Sequence, residues 1–160
     1  MLKIIVCGPG ASGKDHFAKM LIEKGATKSV SYTTRPPREN EVDGIDYHFI
    51  STEEFEKKVE EGFWYEWDLF RPEKGWYYGQ SNEDINSCDL FIKTVSGVGK
   101  IKPEDREKFT IFYLDIPEEI RRERLNKRKD RDDPERRLDA DRKDFGDFTD
   151  FDVVIKNFDF

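Results

Sequence analysis

Gly8-Pro9-Gly10-Ala11-Ser12-Gly13-Lys14 has the spacing G-x-x-x-x-G-K, and it sits where a β-branched run gives way to a segment of helical period. Glycines let successive backbone N–H groups turn inward around phosphate oxygens. The following helix adds the partial positive charge of its N-terminus, and Lys14 reaches the β- and γ-phosphates of a nucleoside triphosphate. The bland alternative is a glycine-rich strand-to-helix turn without a ligand. Asp15 stands where Ser or Thr normally follows the lysine and binds Mg²⁺. A carboxylate is also a hard oxygen ligand, so Asp15 is the candidate metal ligand, directly or through water. Gly8, Gly10, Ala11, Ser12, Gly13, Lys14 and Asp15 form the candidate ATP site.

Two further groups of charge have chemical spacing. Arg35 and Arg38, three apart on the rigid Pro36-Pro37 loop, make a fork for a phosphate dianion, or else are ordinary solvated loop charges. From Glu118 to Asp144, 21 of 27 residues are charged, 11 basic and 10 acidic. Such a segment suits a lid whose guanidinium groups close on transferring phosphate. It equally suits an exposed helix laced with pairs such as Glu118 with Arg122 and Glu123 with Lys127, and charge density alone does not separate the two. Glu66 lies among Phe63, Trp64, Tyr65 and Trp67, where a carboxylate in a partly dry setting discriminates strongly between hydrogen-bonding partners. His16 and His48 read as packing or unreactive residues.

The elements that must position these groups follow from periodicity. Leu2 to Cys7 is a strand, and the helix after the glycine turn puts Phe17, Met20 and Leu21 on one face. Ser29 to Thr33 is a second strand. Ser51-Thr52-Glu53-Glu54 has capping-box spacing and opens a helix to about Glu61, stopped by Gly62, with Phe55 and Val59 as its buried pair. Strands follow at Asp89 to Val95, Phe109 to Leu114 and Phe151 to Ile155. Pro117 starts a helix carrying Ile120 and Leu125, and Asp133-Pro134 starts another, Asp as cap and Pro in the first helical position. Strands alternating with helices predict an α/β fold with a mostly parallel sheet covered on both faces, in one domain without repeat or linker.

Composition bounds the function. A chain of 160 residues fits one domain. Charged residues reach 39%, but 13 Phe, 6 Tyr and 3 Trp supply a core that a disordered polyelectrolyte lacks. A formal charge of −7 argues against general duplex binding, so no nucleic-acid partner is expected. No apolar run approaches a membrane span, and the first strand leaves no room for a leader, which predicts a cytoplasmic protein with no membrane partner. Cys7 and Cys88, 81 positions apart and without CxxC or His neighbours, predict neither a disulfide framework nor a zinc site.

Ser31-Tyr32-Thr33-Thr34-Arg35-Pro36-Pro37-Arg38, continued by Glu39, Glu41, Val42, Asp43, Gly44 and Asp46-Tyr47-His48-Phe49, closely resembles the acceptor-binding region of guanylate kinases. With the glycine turn and the arginine-rich segment, the resemblance extends over nearly the whole chain. It implies a P-loop core over 1–34, 81–125 and 146–160, an inserted nucleotide-binding region over 35–80, and a lid over about 126–145. It further implies that Arg35, Arg38, Tyr47 and Tyr78 hold the acceptor's phosphate, that Glu66 accepts hydrogen bonds from N1 and the amino group of guanine, and that Ser31 makes another base contact. Arg124, Arg128 and Arg137 match the family's spaced lid arginines, with Arg131 and Arg136 as near misses. Asn157, after the last strand, matches an asparagine that touches the donor adenine.

The sequence departs from the family at three acceptor or metal positions. Gln80 replaces an expected Ser or Thr, Thr94 stands where an acidic residue helps organise the acceptor site, and Asp15 follows the lysine. Catalysis is assigned to Lys14, Arg35, Arg128 and Arg137. The expected activity is ATP-dependent phosphorylation of GMP or dGMP with Mg²⁺, by a monomer or homodimer. The alternatives are a kinase for a modified deoxynucleotide or a sugar phosphate, and a non-catalytic module that binds phosphopeptides.

Overall fold

The computed structural model describes residues 2–70, 72–128 and 133–159. In chain order its elements are β1 Lys3–Cys7, α1 Lys14–Glu23, β2 Tyr32–Thr33, β3 His48–Phe49, α2 Thr52–Glu60, β4 Trp64–Phe70, β5 Trp76–Ser81 and α3 Asn82–Ser87. Then come β6 Leu90–Ile92, α4 Val95–Gly99, β7 Phe109–Leu114, α5 Glu118–Lys127, α6 Pro134–Phe145 and β8 Val153–Ile155. The chain divides into two compact units, Met1–Thr27 with Asp89–Phe160, and Lys28–Cys88. Residues 28–34 and 81–88, expected with the core, fall in the second unit.

The first unit carries the parallel sheet, in the order β6-β1-β7-β8. β1 lies inside it, so Ile5, Val6 and Cys7 are all fully buried and the strand reads as a continuous apolar run. On α1 the buried residues are Phe17 and Ala18, with Leu21 against the same cluster, while Met20, expected on that face, is exposed. Phe17 sets its ring 5.7 Å from Phe112 and edge-on to Phe158 at 5.5 Å. The strand expected over Asp89 to Val95 ends at Ile92. Thr94 Oγ1 accepts a hydrogen bond from the Gly97 N–H at 3.0 Å and turns the chain into α4 instead. The last strand is likewise shorter than expected, beginning at Val153.

Two helices then close the unit. α5 buries Leu125, but Ile120 is exposed and its neighbour Arg121 is buried in its stead. α6 opens as the sequence predicts, with Asp133 accepting from the Glu135 N–H at 3.2 Å and Pro134 in the first turn. Its far end is fastened by rings. Phe145 stacks on Tyr113 of β7 at 5.6 Å, and Phe148 and Phe151 pack on the same tyrosine.

The second unit is built on a separate sheet, β3-β2-β5-β4, in which β5 runs antiparallel to both β2 and β4. The strand expected over Ser29 to Thr33 is reduced to Tyr32–Thr33. α2 is capped by Ser51 Oγ, which accepts from the Glu54 N–H at 3.1 Å, and Gly62, with φ at 68°, takes the left-handed position beyond the helix end. Phe55 is fully buried, stacked on Trp64 at 4.3 Å and on Tyr77 at 4.8 Å; Val59, its expected partner, is only half-buried. A Cβ on Gly79 would come within 2.8 Å of the Trp64 ring, so this stack requires glycine there.

Candidate active site

The glycine turn leaves β1 and enters α1 as the sequence predicts. Gly13, at φ 92°, stands at the start of α1 without capping it through a side chain, and a helix N-terminus of this kind favours an anion. Ala11 adopts φ 60°, a left-handed conformation that costs a non-glycine residue on the order of 1–3 kcal/mol and gathers at ligand-binding loops. Ser12 is fully buried, and among the described residues its Oγ finds no hydrogen-bond partner. A Cβ on Gly8 would meet that Oγ at 2.7 Å, so Gly8 makes room for it. Lys14 folds its Nζ back to donate to the carbonyls of Gly8 at 2.7 Å and Pro9 at 3.0 Å. Burial lowers the pKa of this ammonium, Asp15 and Asp141 oppose the fall, and Arg128 adds to it.

α5 and α6 lie against this turn. Leu125 and Leu138 form a small buried cluster with Ala11. Arg124, expected at ATP, donates from Nη1 to the Ala11 carbonyl at 3.1 Å and from Nη2 to the Phe158 carbonyl at 2.8 Å. Asp141 on α6 accepts the Gly10 N–H at 3.1 Å, and the same carboxylate oxygen accepts from Nη1 of buried Arg121 at 3.1 Å. Nε of Arg121 donates to the Ile116 carbonyl at 3.1 Å. Arg128 is exposed at the end of α5, Arg137 is half-buried on α6, and Arg136 is exposed. Arg131 lies outside the described residues. Asn157 is exposed beyond β8, and Thr94 spends its hydroxyl as the α4 cap.

In the second unit the expected phosphate ligands converge. Arg35 is 5% exposed, and its Nε donates to the Tyr78 hydroxyl at 3.2 Å. Its guanidinium carbon lies 5.4 Å from the centre of the Tyr47 ring, which in turn is edge-on to Tyr78 at 5.9 Å. The fork of Arg35 is engaged. Nη1 and Nη2 donate to the two oxygens of Glu41 at 2.7 and 2.8 Å, and the Arg38 backbone N–H adds a third bond at 2.7 Å. That arrangement raises the arginine pKa and holds the Glu41 carboxyl below the ordinary value, in both cases chiefly through the Arg35–Glu41 hydrogen bonds. Burial raises the Tyr47 phenol. The side chain of Arg38 is exposed.

Glu66 is half-buried on β4, directly opposite Gln80 of β5, next to a register shift between Trp64 and Glu66. Gln80 is 2% exposed and works inside the unit. Its amide nitrogen donates to Asp84 Oδ2 at 2.9 Å and to Ser29 Oγ, and its carbonyl oxygen accepts from Ser31 Oγ at 3.3 Å. Ser29 donates to the same Asp84 oxygen at 2.9 Å.

Sequence reasoning passed over Glu41, Asp84, Arg121 and Asp141. The position of Glu41, six residues beyond Arg35 in a Pro-rich turn, was an available signal; nothing near Asp141 in the chain marks it. Among the described residues no group of three or more His, Cys, Asp or Glu side chains gathers for a metal. Asp15 is exposed on the first turn of α1. One carboxylate completed by phosphate oxygens and water is an ordinary setting for Mg²⁺, so the donor set fits that ion.

Residues 1–160 match the family described as guanylate kinase. A guanylate kinase of Idiomarina loihiensis is 33% identical over 98% of this chain and 79% of its own length. One of Chlorobium luteolum is 31% identical over 96% of this chain and 82% of its own. The crystal structure of a guanylate kinase from Anaplasma phagocytophilum superposes with a TM-score of 0.71 at 24% identity, covering 99% of this chain and 77% of that one. The α/β fold with its parallel sheet is shared with that structure.

Proposed function

The chain belongs to the guanylate kinase family, and from that premise we propose that it transfers the γ-phosphoryl group of ATP to GMP, giving ADP and GDP. An oxygen of the acceptor's phosphate forms the new bond to the γ-phosphorus as the bond to the β–γ bridging oxygen breaks. No general base is required, because that oxygen is already nucleophilic at neutral pH. The observation that carries the reading is the gathering of Arg35, Tyr47 and Tyr78 in one unit and of a Gly8–Lys14 anion cradle in the other.

On this reading Lys14 exchanges the Gly8 and Pro9 carbonyls for donor phosphate oxygens, and the first-turn N–H groups of α1 bind the same group. Arg35, Arg38, Tyr47 and Tyr78 bind the acceptor's phosphate, and Glu66 accepts from the guanine edge. Arg128 and Arg137 supply positive charge to the transferring group, while Arg124 braces the turn through the Ala11 carbonyl. Asp15, together with the donor phosphates, would hold Mg²⁺, which would supply positive charge to offset that building on the phosphates. Two buried cysteines outside any disulfide suit a reducing compartment, and we place the enzyme in the cytoplasm.

The test is a coupled ADP-release assay over GMP, dGMP, AMP and ribose phosphates. We expect turnover with GMP and a kcat loss of about 10²–10³ in Lys14→Ala, the size of effect of removing one positioned donor to a transition-state oxyanion. A folded protein that consumes no ATP with any acceptor overturns the reading.

A further inference from the structure

The phosphate cradle of this chain already holds an anion, and it is one of its own side chains. Asp141 takes the Gly10 N–H at 3.1 Å. Its oxygen is held in place by Arg121, whose side chain is 8% exposed and anchored a second time on the Ile116 carbonyl. Among the described residues, the charged groups and dipoles that act most on Asp141 are Arg121 from α5, the Gly10 N–H and Lys14 from the glycine turn, and Asp144 from its own helix. Lys14 and Asp141 thus attract one another electrostatically.

We propose that Asp141 is a stand-in anion that sets donor affinity: its carboxylate occupies the Gly10 N–H and faces Lys14 until the terminal phosphates of ATP displace it, and it returns when they leave. The inference rests on the reading of the Gly8–Lys14 turn as the donor site. Displacement costs the Asp141–Gly10 bond and sets two anions near each other. The same contest favours release of the less charged product diphosphate. Arg121, buried and fixed, stays behind as a cation that the incoming phosphate faces.

The experiment measures binding of a non-hydrolysable ATP analogue and of ADP to the full chain, as wild type, Asp141→Asn and Asp141→Ala, by calorimetry at fixed ionic strength. Asn keeps the size and an oxygen for the Gly10 N–H while removing the charge. We expect both variants to bind the analogue about tenfold more tightly than wild type, as the loss of one like charge beside an anion site predicts. Unchanged or weaker binding by a folded Asp141→Asn overturns the inference while leaving the donor site intact, since wild type still binds. Absence of binding by all three proteins overturns the donor site and the inference with it. Carboxyl ¹³C NMR of wild type decides the matter without a variant: a shifted Asp141 signal on adding the analogue supports displacement, and a signal that stays fixed while the other turn resonances move refutes it.

Discussion

Each unit of this molecule sets a carboxylate against the groups expected to take phosphate, yet the two are made in opposite ways. Glu41 lies six residues from Arg35 and grips it with both oxygens, with a pKa held below the ordinary value by that grip. Asp141 lies 131 residues from Gly10, and burial, outweighing Arg121, the Gly10 N–H and Lys14, raises its pKa above the ordinary value. The difference separates a loop that is locked locally from a turn whose occupant comes from far along the chain and is held against a desolvation cost. The first is a structural clasp; the second is a contact poised to exchange.

The sharpest break of the comparison is Glu41→Ala. Removing one member of a nearly buried pair leaves the Arg35 guanidinium uncompensated and is expected to cost about 3–5 kcal/mol. All three tryptophans, Trp64, Trp67 and Trp76, lie in Lys28–Cys88, so denaturant unfolding followed by tryptophan fluorescence reads this unit directly. An unchanged midpoint would show that the clasp is idle. Ser51→Ala removes only a helix cap in the same unit and is expected to cost about 1 kcal/mol by the same measurement. A loss as large as that of Glu41→Ala would mean that the unit responds to any local damage and that the clasp has no special weight.

The finest probe is titration. For Glu41 the folded pKa is depressed, so its contribution to stability is present above the unfolded value and disappears as pH falls through the folded one. For Asp141 the folded pKa is raised, so its ionisation opposes folding, and stability falls as pH rises through the folded value. On acidification Asp141 is therefore expected to take its proton at a pH above its ordinary pKa and Glu41 at a pH below its own, which narrows the intrinsic lead of Glu over Asp. Carboxyl ¹³C titration checks this, and two carboxyls shifted in the same direction would remove the contrast between the two units.

The same split between near and far explains what the sequence disclosed. The α5–α6 boundary at Asp133-Pro134, the Ser51 cap, β7 and the glycine turn are written in a few adjacent residues, and they form where expected. The buried faces of α1 and α5 depended on what packed against them. Met20 and Ile120 look inward by period alone, but the cluster around β1 claims Ala18, and the demands of Asp141 claim Arg121. Val95 has strand propensity, yet Thr94 caps a helix ahead of it. The spacing singles out Arg35, and the resemblance adds Tyr47 and Tyr78, which the structure gathers around it. Asp141 was not, because a lone aspartate in an acidic and basic helix carries no local signal of the N–H it meets.

Beneath the glycine turn, β1 ends on Cys7, whose thiol is fully buried and pushed up to about 12, burial outweighing the pull of Lys14. At neutral pH only on the order of 10⁻⁵ of it is thiolate, the form that peroxides and alkylating reagents attack. The strand end beneath the turn is thereby shielded from oxidation and alkylation, and Cys7 should stay unmodified under peroxide or iodoacetamide for as long as the sheet stays closed.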